Sequence, residues 1–310
     1  MNDEDIEIDY QVTAQGLYIR TEEPINKLIG YGVGESILLA KQLNIPLYSD
    51  DTGIRKLALD SYNVNGFSTI TLITKLRTEG HFKIRDETNI LCEMIRKNYR
   101  VVPFDRNHLN CCMSELIEKA IENNESMPAQ KQFLLDKDMG TLLRQFGDPF
   151  FNEEWMAKIA ISWWISLLEK DDLDKNILVE CLGYPSFAIS TLPTSRVIVG
   201  IKKYEQESRI GHVFGFFLIN CYEHNQQLLP GAWSAIKSCC GKIFSHDEKK
   251  YNITLFRAIP EWIIKDIEAM NIDDSQKMVR VINIPNQFPE EDRIKFENIF
   301  IRLRPKFMHI

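Results

Sequence analysis

The chain has 310 residues, 44% hydrophobic and 26% charged, with a formal net charge of −7. That length and balance fit one large or two ordinary domains and leave little room for a long disordered tail. The charge excludes a global basic field for holding nucleic acid. No apolar run nears the roughly 20 residues of a bilayer span, and the acidic opening lacks the order of a signal peptide, so a cytoplasmic protein is expected.

In chain order, an acidic lead is followed by a strand or hairpin in which Tyr10, Val12 and Ala14 alternate with polar residues. Residues 30–104 then alternate helix and strand. Glu35–Leu43 carries a wide apolar stripe, and Ile45–Tyr48 reads as a buried strand with Pro46 near its start. Asp51-Thr52 caps a helix holding Ile54, Leu57, Ala58 and Leu59. Val64–Phe67 is the next strand, Ser68 or Thr69 caps a helix with Ile70, Leu72, Ile73 and Leu76, and Thr88–Lys97 is helical. Tyr99–Pro103 reads as a last short strand.

After about residue 110 helical periodicity takes over, at Met113–Ile121, Phe133–Phe146, Glu153–Leu168, Ser195–Tyr204, Ile210–Cys221, Trp233–Ile243, Glu261–Met270 and Glu290–Leu303. Turn signals at Gly147-Asp148-Pro149, Gly183-Tyr184-Pro185, Leu229-Pro230-Gly231 and Ile259-Pro260 punctuate these helices. The expected fold class is an α/β domain over 1–110, a short parallel sheet flanked by helices, followed by an all-α domain over 111–310. A polar stretch, Asn123 to Pro128, lies near the joint.

Seven cysteines show no disulfide-framework spacing. Cys239, Cys240 and His246 read either as a zinc site or as buried thiols beside a surface histidine. Trp155, Trp163 and Trp164 with Phe150, Phe151 and Ile159 read first as core and second as a partner-binding groove.

The most informative passage is Gly30 to Asp51. Glu35 near the start of a helix, and Asp50 and Asp51 at the end of a strand, are hard-oxygen groups that suit Mg²⁺ or Mn²⁺ if they converge. The alternative is local: Asp51 as an N-cap, Asp50 solvated, and Glu35 a helix residue favoured by the dipole. Arg55 reads as a partner of Asp51 or as a phosphate contact. Lys75, Arg77, His81, Lys83 and Arg85 form a basic cluster that either grips RNA or is a solvated face.

With these residues laid out, positions 30–105 resemble the second half of the PIN domain nuclease family. The carrying order is Gly34-Glu35, helix, strand Ile45–Tyr48, Asp50-Asp51, Arg55 and Ala58, then Gly66-Phe67-Ser68-Thr69 with the helix after it. The resemblance implies a PIN-like α/β fold and Mg²⁺- or Mn²⁺-dependent endoribonuclease activity, as in bacterial toxin or defence proteins. It implies catalytic roles for Glu35, Asp50, Asp51 and Thr69, and RNA contacts from Arg55, Lys75 and Arg77. Glu35, Asp50 and Asp9 would be the metal ligands, Asp9 standing where the family's first acid is expected at an unusually short spacing. That shortness implies an N-terminal truncation or an inactive frame. The alternative is therefore a catalytically inactive scaffold working through its helical domain, with a protein partner or as a homodimer.

Overall fold

The computed structural model describes residues 8–11, 18–21, 31–99, 102–123, 125, 128, 130–148, 151, 153–170, 173–190 and 205–303. The chain divides into two compact units, Met1–Lys83 and Ile84–Ile310.

In the first unit, β1 (Ile8–Gln11) pairs antiparallel with β2 (Tyr18–Thr21). Next come α1 (Tyr31–Leu43), β3 (Leu47–Tyr48), α2 (Thr52–Tyr62), β4 (Gly66–Phe67) and α3 (Thr69–Thr78). β3 and β4 run parallel, Leu47 opposite Gly66 and Tyr48 opposite Phe67. The ladder extends one bond beyond each end, Leu47 N–H to Asn65 O at 2.8 Å and Ser49 N–H to Phe67 O at 3.0 Å.

Asparagine makes the sharp reversals from helix to strand. Asn44 (φ 52°) follows α1 and Asn63 (φ 54°) closes α2. Asn63 donates its N–H to the Ala58 and Leu59 carbonyls. Asn tolerates this left-handed conformation better than most residues. The chain thus turns straight into Val64, whose N–H bonds Ala58 O. Ile37, Ala40, Leu47, Leu57, Ala58, Tyr62 and Val64 form a small core on the helix side of the strands.

The second unit contains α4 (Ile84–Arg96), α5 (Arg106–Glu122), α6 (Gln130–Leu135), α7 (Met139–Gln145), α8 (Glu153–Leu168), α9 (Lys175–Ser190), α10 (Glu205–His224), α11 (Leu229–Ile243), α12 (Glu248–Ile253), α13 (Ile259–Ala269), α14 (Asp274–Asn286) and α15 (Glu290–Leu303). Its core includes Trp163, Trp164, Phe214, Phe217, Trp233 and Phe296. Trp163 and Trp164 are fully buried, and Trp164 donates Nε1–H to Cys181 O at 3.2 Å. α10 packs against α9, α11 and α13. Its Gly211 lies so close to the turn before α13 that an added Cβ would stand 2.5 Å from Ala258 Cβ. On the other flank Trp233 stacks on Phe288 at 4.4 Å and meets Phe296 edge-on. The buried Asp292 accepts from Trp233 Nε1–H at 2.9 Å and from Lys237 Nζ at 2.7 Å.

Between α12 and α13 the helix widens to a π-turn over Thr254–Ala258, where Ile259 N–H donates to Thr254 O. Pro260 follows in the first turn of α13. In an unbroken α-helix its ring would press on the carbonyl four residues back. The wider turn displaces that carbonyl.

The expected α/β class is overturned. The described residues are overwhelmingly helical, and their parallel pairing amounts to two residues on each of two strands. Pro46 has no N–H for a ladder, Ile45 and Tyr48 are exposed, and Ser68 starts a helix directly after Phe67. At the expected last strand, Tyr99, Val102 and Pro103 have no strand pairing, and residues 100 and 101 lie outside the described residues, as does the helix expected over 195–204. Phe133–Phe146 is two helices: Asp136 Oδ1 accepts from the Asp138 and Met139 N–H groups and breaks them apart. Three expected turns are helical, with Pro185 inside α9 and Pro230 and Pro260 in the first turns of α11 and α13.

Candidate functional site

The carboxyl ends of β3 and β4 each lead straight into a helix. Asp51 caps α2, its Oδ1 accepting from Ile54 N–H at 3.0 Å. Ser68 caps α3, accepting from Thr71 N–H at 3.3 Å. Between these caps Asp50 reaches across to the neighbouring strand end. Its Oδ1 accepts from Thr69 N–H at 2.7 Å and its Oδ2 from Thr69 Oγ1 at 2.8 Å. The Tyr48 hydroxyl is 2.6 Å from Thr69 Oγ1 and 3.5 Å from Asp50 Oδ2. One carboxylate, one threonine and one phenol therefore meet in a three-membered ring of polar contacts across the edge, with two hydroxyl protons to serve its three sides.

Arg55 braces this edge from within. Its Nη1 donates to Ser49 O at 2.7 Å and its Nη2 to Thr52 Oγ1 at 3.0 Å. Its aliphatic stem lies against Gly66, where a Cβ would stand 2.8 Å from Arg55 Cγ. Gly66 is required there by close approach.

The remaining expected residues stand on β1, α1 and α3. Glu35 is exposed on α1, as the fifth residue of that helix. Asp9 lies on β1, in register with Arg20, and its side chain is outside the described residues. Lys75 is exposed on α3 with its Nζ 3.7 Å from Glu79, and Arg77 is half-buried on the same helix. Among the described residues no group of three His, Cys, Asp or Glu side chains gathers to hold a metal. The ring pairs Asp50 with Thr69 as two expected site residues. It adds Tyr48, which the sequence marked only as a strand residue.

The second unit holds its own charged groups. Arg85 bridges Glu115 and Asp138, and Arg96 Nη1 lies 3.0 Å from Asp138. At the start of α5, His108 Nδ1 stands 3.0 Å from Asp105 N–H and 2.8 Å from Asp105 Oδ1, with Nε2 3.4 Å from Glu87. Burial pushes Asp105 up. The bond to the His108 ring and the N–H groups of Asn107 and His108 outweigh it and hold the carboxyl down at about 2.

Cys239 and Cys240 are buried free thiols and His246 is exposed. Burial raises the Cys239 thiol to about 12 and Cys240 well above its ordinary value, and among the described residues no group of three His, Cys, Asp or Glu gathers around them. A groove of about 440 Å³ opens beside them, lined by Tyr184, Phe187, Gln206, Lys242, His246 and Lys250 among others. Lys242 is paired with Glu180, and Lys250 lies 3.9 Å from Asp247.

Among the described residues no helix is long and apolar enough to cross a membrane. Comparisons with protein-family models, with curated proteins and with solved structures return no match.

Proposed function

We propose that the carboxyl edge of β3 and β4 is the site of a cytoplasmic, Mg²⁺- or Mn²⁺-dependent endoribonuclease. The observation that carries this function is the Asp50–Thr69 contact. Two side chains 19 positions apart meet at the ends of adjacent parallel strands, and both were singled out by the resemblance to PIN domain nucleases.

The donor set suits a hard cation. Mg²⁺ keeps several waters and is held by one or two carboxylates together with substrate phosphate. Asp50 and Asp51 supply two carboxylates, and among the described residues Asp51 engages Oδ1 alone, as a cap. Glu35 from α1 is the third carboxylate of the proposed set, with Asp9 a fourth. A bound ion supplies an acidified water and neutralises charge that grows on the phosphate.

The chain's own residues position the groups. Thr69 holds Asp50 in one orientation through both of its donors, and Tyr48 fixes the threonine hydroxyl. Arg55 locks the turn that carries Ser49, Asp50 and Asp51, so the two carboxylates keep their mutual placement.

The test is cleavage of single-stranded RNA with and without Mn²⁺, comparing wild type with the double variant Asp50→Asn, Glu35→Gln. Loss of metal-dependent cleavage in the variant is expected, and equal cleavage by both proteins removes the proposal.

A second function, an interaction protein working through its helical unit, is favoured by the groove beside Tyr184 and Phe187 and by the capping bonds that already occupy Asp50 and Asp51. Calorimetric titration with Mn²⁺ separates the two, because binding no tighter than millimolar favours the interaction protein.

A further inference from the structure

Tyr48 is 55% exposed, yet its hydroxyl is fixed at 2.6 Å from Thr69 Oγ1. The large ring is therefore held in place without being buried. Phe67, on the adjacent parallel strand, stands against it with ring centroids 5.5 Å apart and planes tilted by 51°. A tyrosine tied at its tip and braced at its side has little rotamer freedom left to lose when something settles on it.

We propose that the Tyr48 ring, supported by Phe67, is a stacking platform for one unpaired nucleobase of single-stranded RNA. The platform presupposes the hydrolytic site proposed above and adds the side chain that would hold a base of the strand there.

Three physical points favour a base over other occupants. The tip of the ring lies at Asp50 and Thr69, so a base resting on its face brings that nucleotide's own backbone to the carboxylate edge. Asp50 and Asp51 repel phosphate, and the half-buried Arg55 has its guanidinium engaged by Ser49 and Thr52. The charged groups placed at this edge therefore add little attraction for phosphate, whereas stacking does not depend on charge. Every base has a π face, so the platform tolerates any sequence. A duplex keeps its bases stacked within the helix and offers none to the ring.

A purely structural role for Tyr48 makes a different demand. If the residue serves only to close the ring with Thr69, its hydroxyl matters and its aromatic ring does not.

The experiment measures, by fluorescence anisotropy in Mg²⁺, binding of a labelled single-stranded RNA and of the same strand annealed to its complement. The proteins are wild type, Tyr48→Phe and Tyr48→Leu, each full length and checked for unchanged helicity. The same samples are scored for cleavage in Mn²⁺. The expected result is a single strand bound about tenfold more weakly by Tyr48→Leu, a smaller loss of about two- to threefold for Tyr48→Phe, which keeps the ring but not its tether, and a duplex bound at least about tenfold more weakly than the single strand. A shallow dependence of affinity on monovalent salt should accompany this.

Equal binding by wild type and Tyr48→Leu overturns the platform, as does a duplex bound as tightly as the single strand or a loss confined to Tyr48→Phe. RNA cut by wild type and Tyr48→Leu at the same rate removes the platform and leaves the nuclease standing. RNA bound through Tyr48 but left intact in Mn²⁺ removes the nuclease and leaves the platform as a binding site. RNA neither bound nor cut removes both.

Discussion

Replacing Asp292 with alanine should weaken the helical unit more than any other change of one polar side chain named above. Asp292 is 3% exposed and accepts from the indole N–H of Trp233, itself 1% exposed, and from Lys237. Without the carboxylate the indole N–H remains buried with no acceptor, which costs about 1–3 kcal/mol. The Lys237 side chain is 37% exposed and turns to water, so its share is smaller, about 1 kcal/mol after screening. The sum is about 3 kcal/mol. Asp292→Asn keeps an oxygen for the indole and loses only the charge facing Lys237, so it should cost about 1 kcal/mol. All five tryptophans fall within 84–310, so tryptophan emission during urea unfolding reports that unit alone. With a slope of about 3 kcal/mol per molar, Asp292→Ala should move the midpoint down by about 1 M. A midpoint unchanged within error, or an asparagine variant weaker than the alanine one, would refute the reasoning.

Asp105 has a folded pKa of about 2 against an ordinary 3.8, so it stabilises the fold above pH 4, and that contribution fades as pH falls toward 2. Its half-exposed side chain limits the effect to about 1 kcal/mol. The stability gap between wild type and Asp105→Asn should therefore close between about pH 5 and pH 2 in a series of urea melts. Gly211→Ala should destabilise by about 1–3 kcal/mol, because its Cβ would stand 2.5 Å from Ala258 Cβ and 3.0 Å from that residue's carbonyl carbon. Gly241→Ala, with nothing within 4 Å of the new Cβ, should instead be neutral or gain up to about 1 kcal/mol in the same melts. Asp51→Ala removes the α2 cap and should cost the first unit about 1 kcal/mol, seen as a lower melting midpoint by near-ultraviolet tyrosine dichroism.

Local chemistry was the legible part. Asp51 could be read as a cap because it bonds an N–H three residues away, and Trp163 and Trp164 as core because an apolar helix gives them nowhere else to go. Prolines misled the reading of residues 175–190 and of the starts of α11 and α13. In α9 the burial of Leu178, Cys181, Leu182, Ala188 and Ile189 outweighs a penalty of about 3 kcal/mol for Pro185. Pro230 sits in the first turn of α11, where no N–H is needed, and Pro260 follows the widened turn that spares it the clash of an unbroken α-helix. The sheet was over-read because Ile45–Tyr48 has strand composition, but only Leu47 is buried, and its partner ends after two residues. The Asp50–Thr69 contact spans 19 positions, and no local periodicity points to such a pair; only the family order did. An aromatic residue in a strand suggests packing, whereas Tyr48 leaves more than half of its surface exposed.

The widened turn at Thr254–Ala258 also fixes the length of the chain at that point. One residue more than an α-turn needs is stored there, and each helical residue advances the azimuth by about 100°. Removing one of the five would take up that surplus and close the stretch to an ordinary α-turn, leaving Trp262, Ile263 and Ile267 close to the side that they now bury but bringing the Pro260 ring back onto a carbonyl. Point substitutions can vary this stretch, but its surplus residue has to stay for as long as a proline follows it.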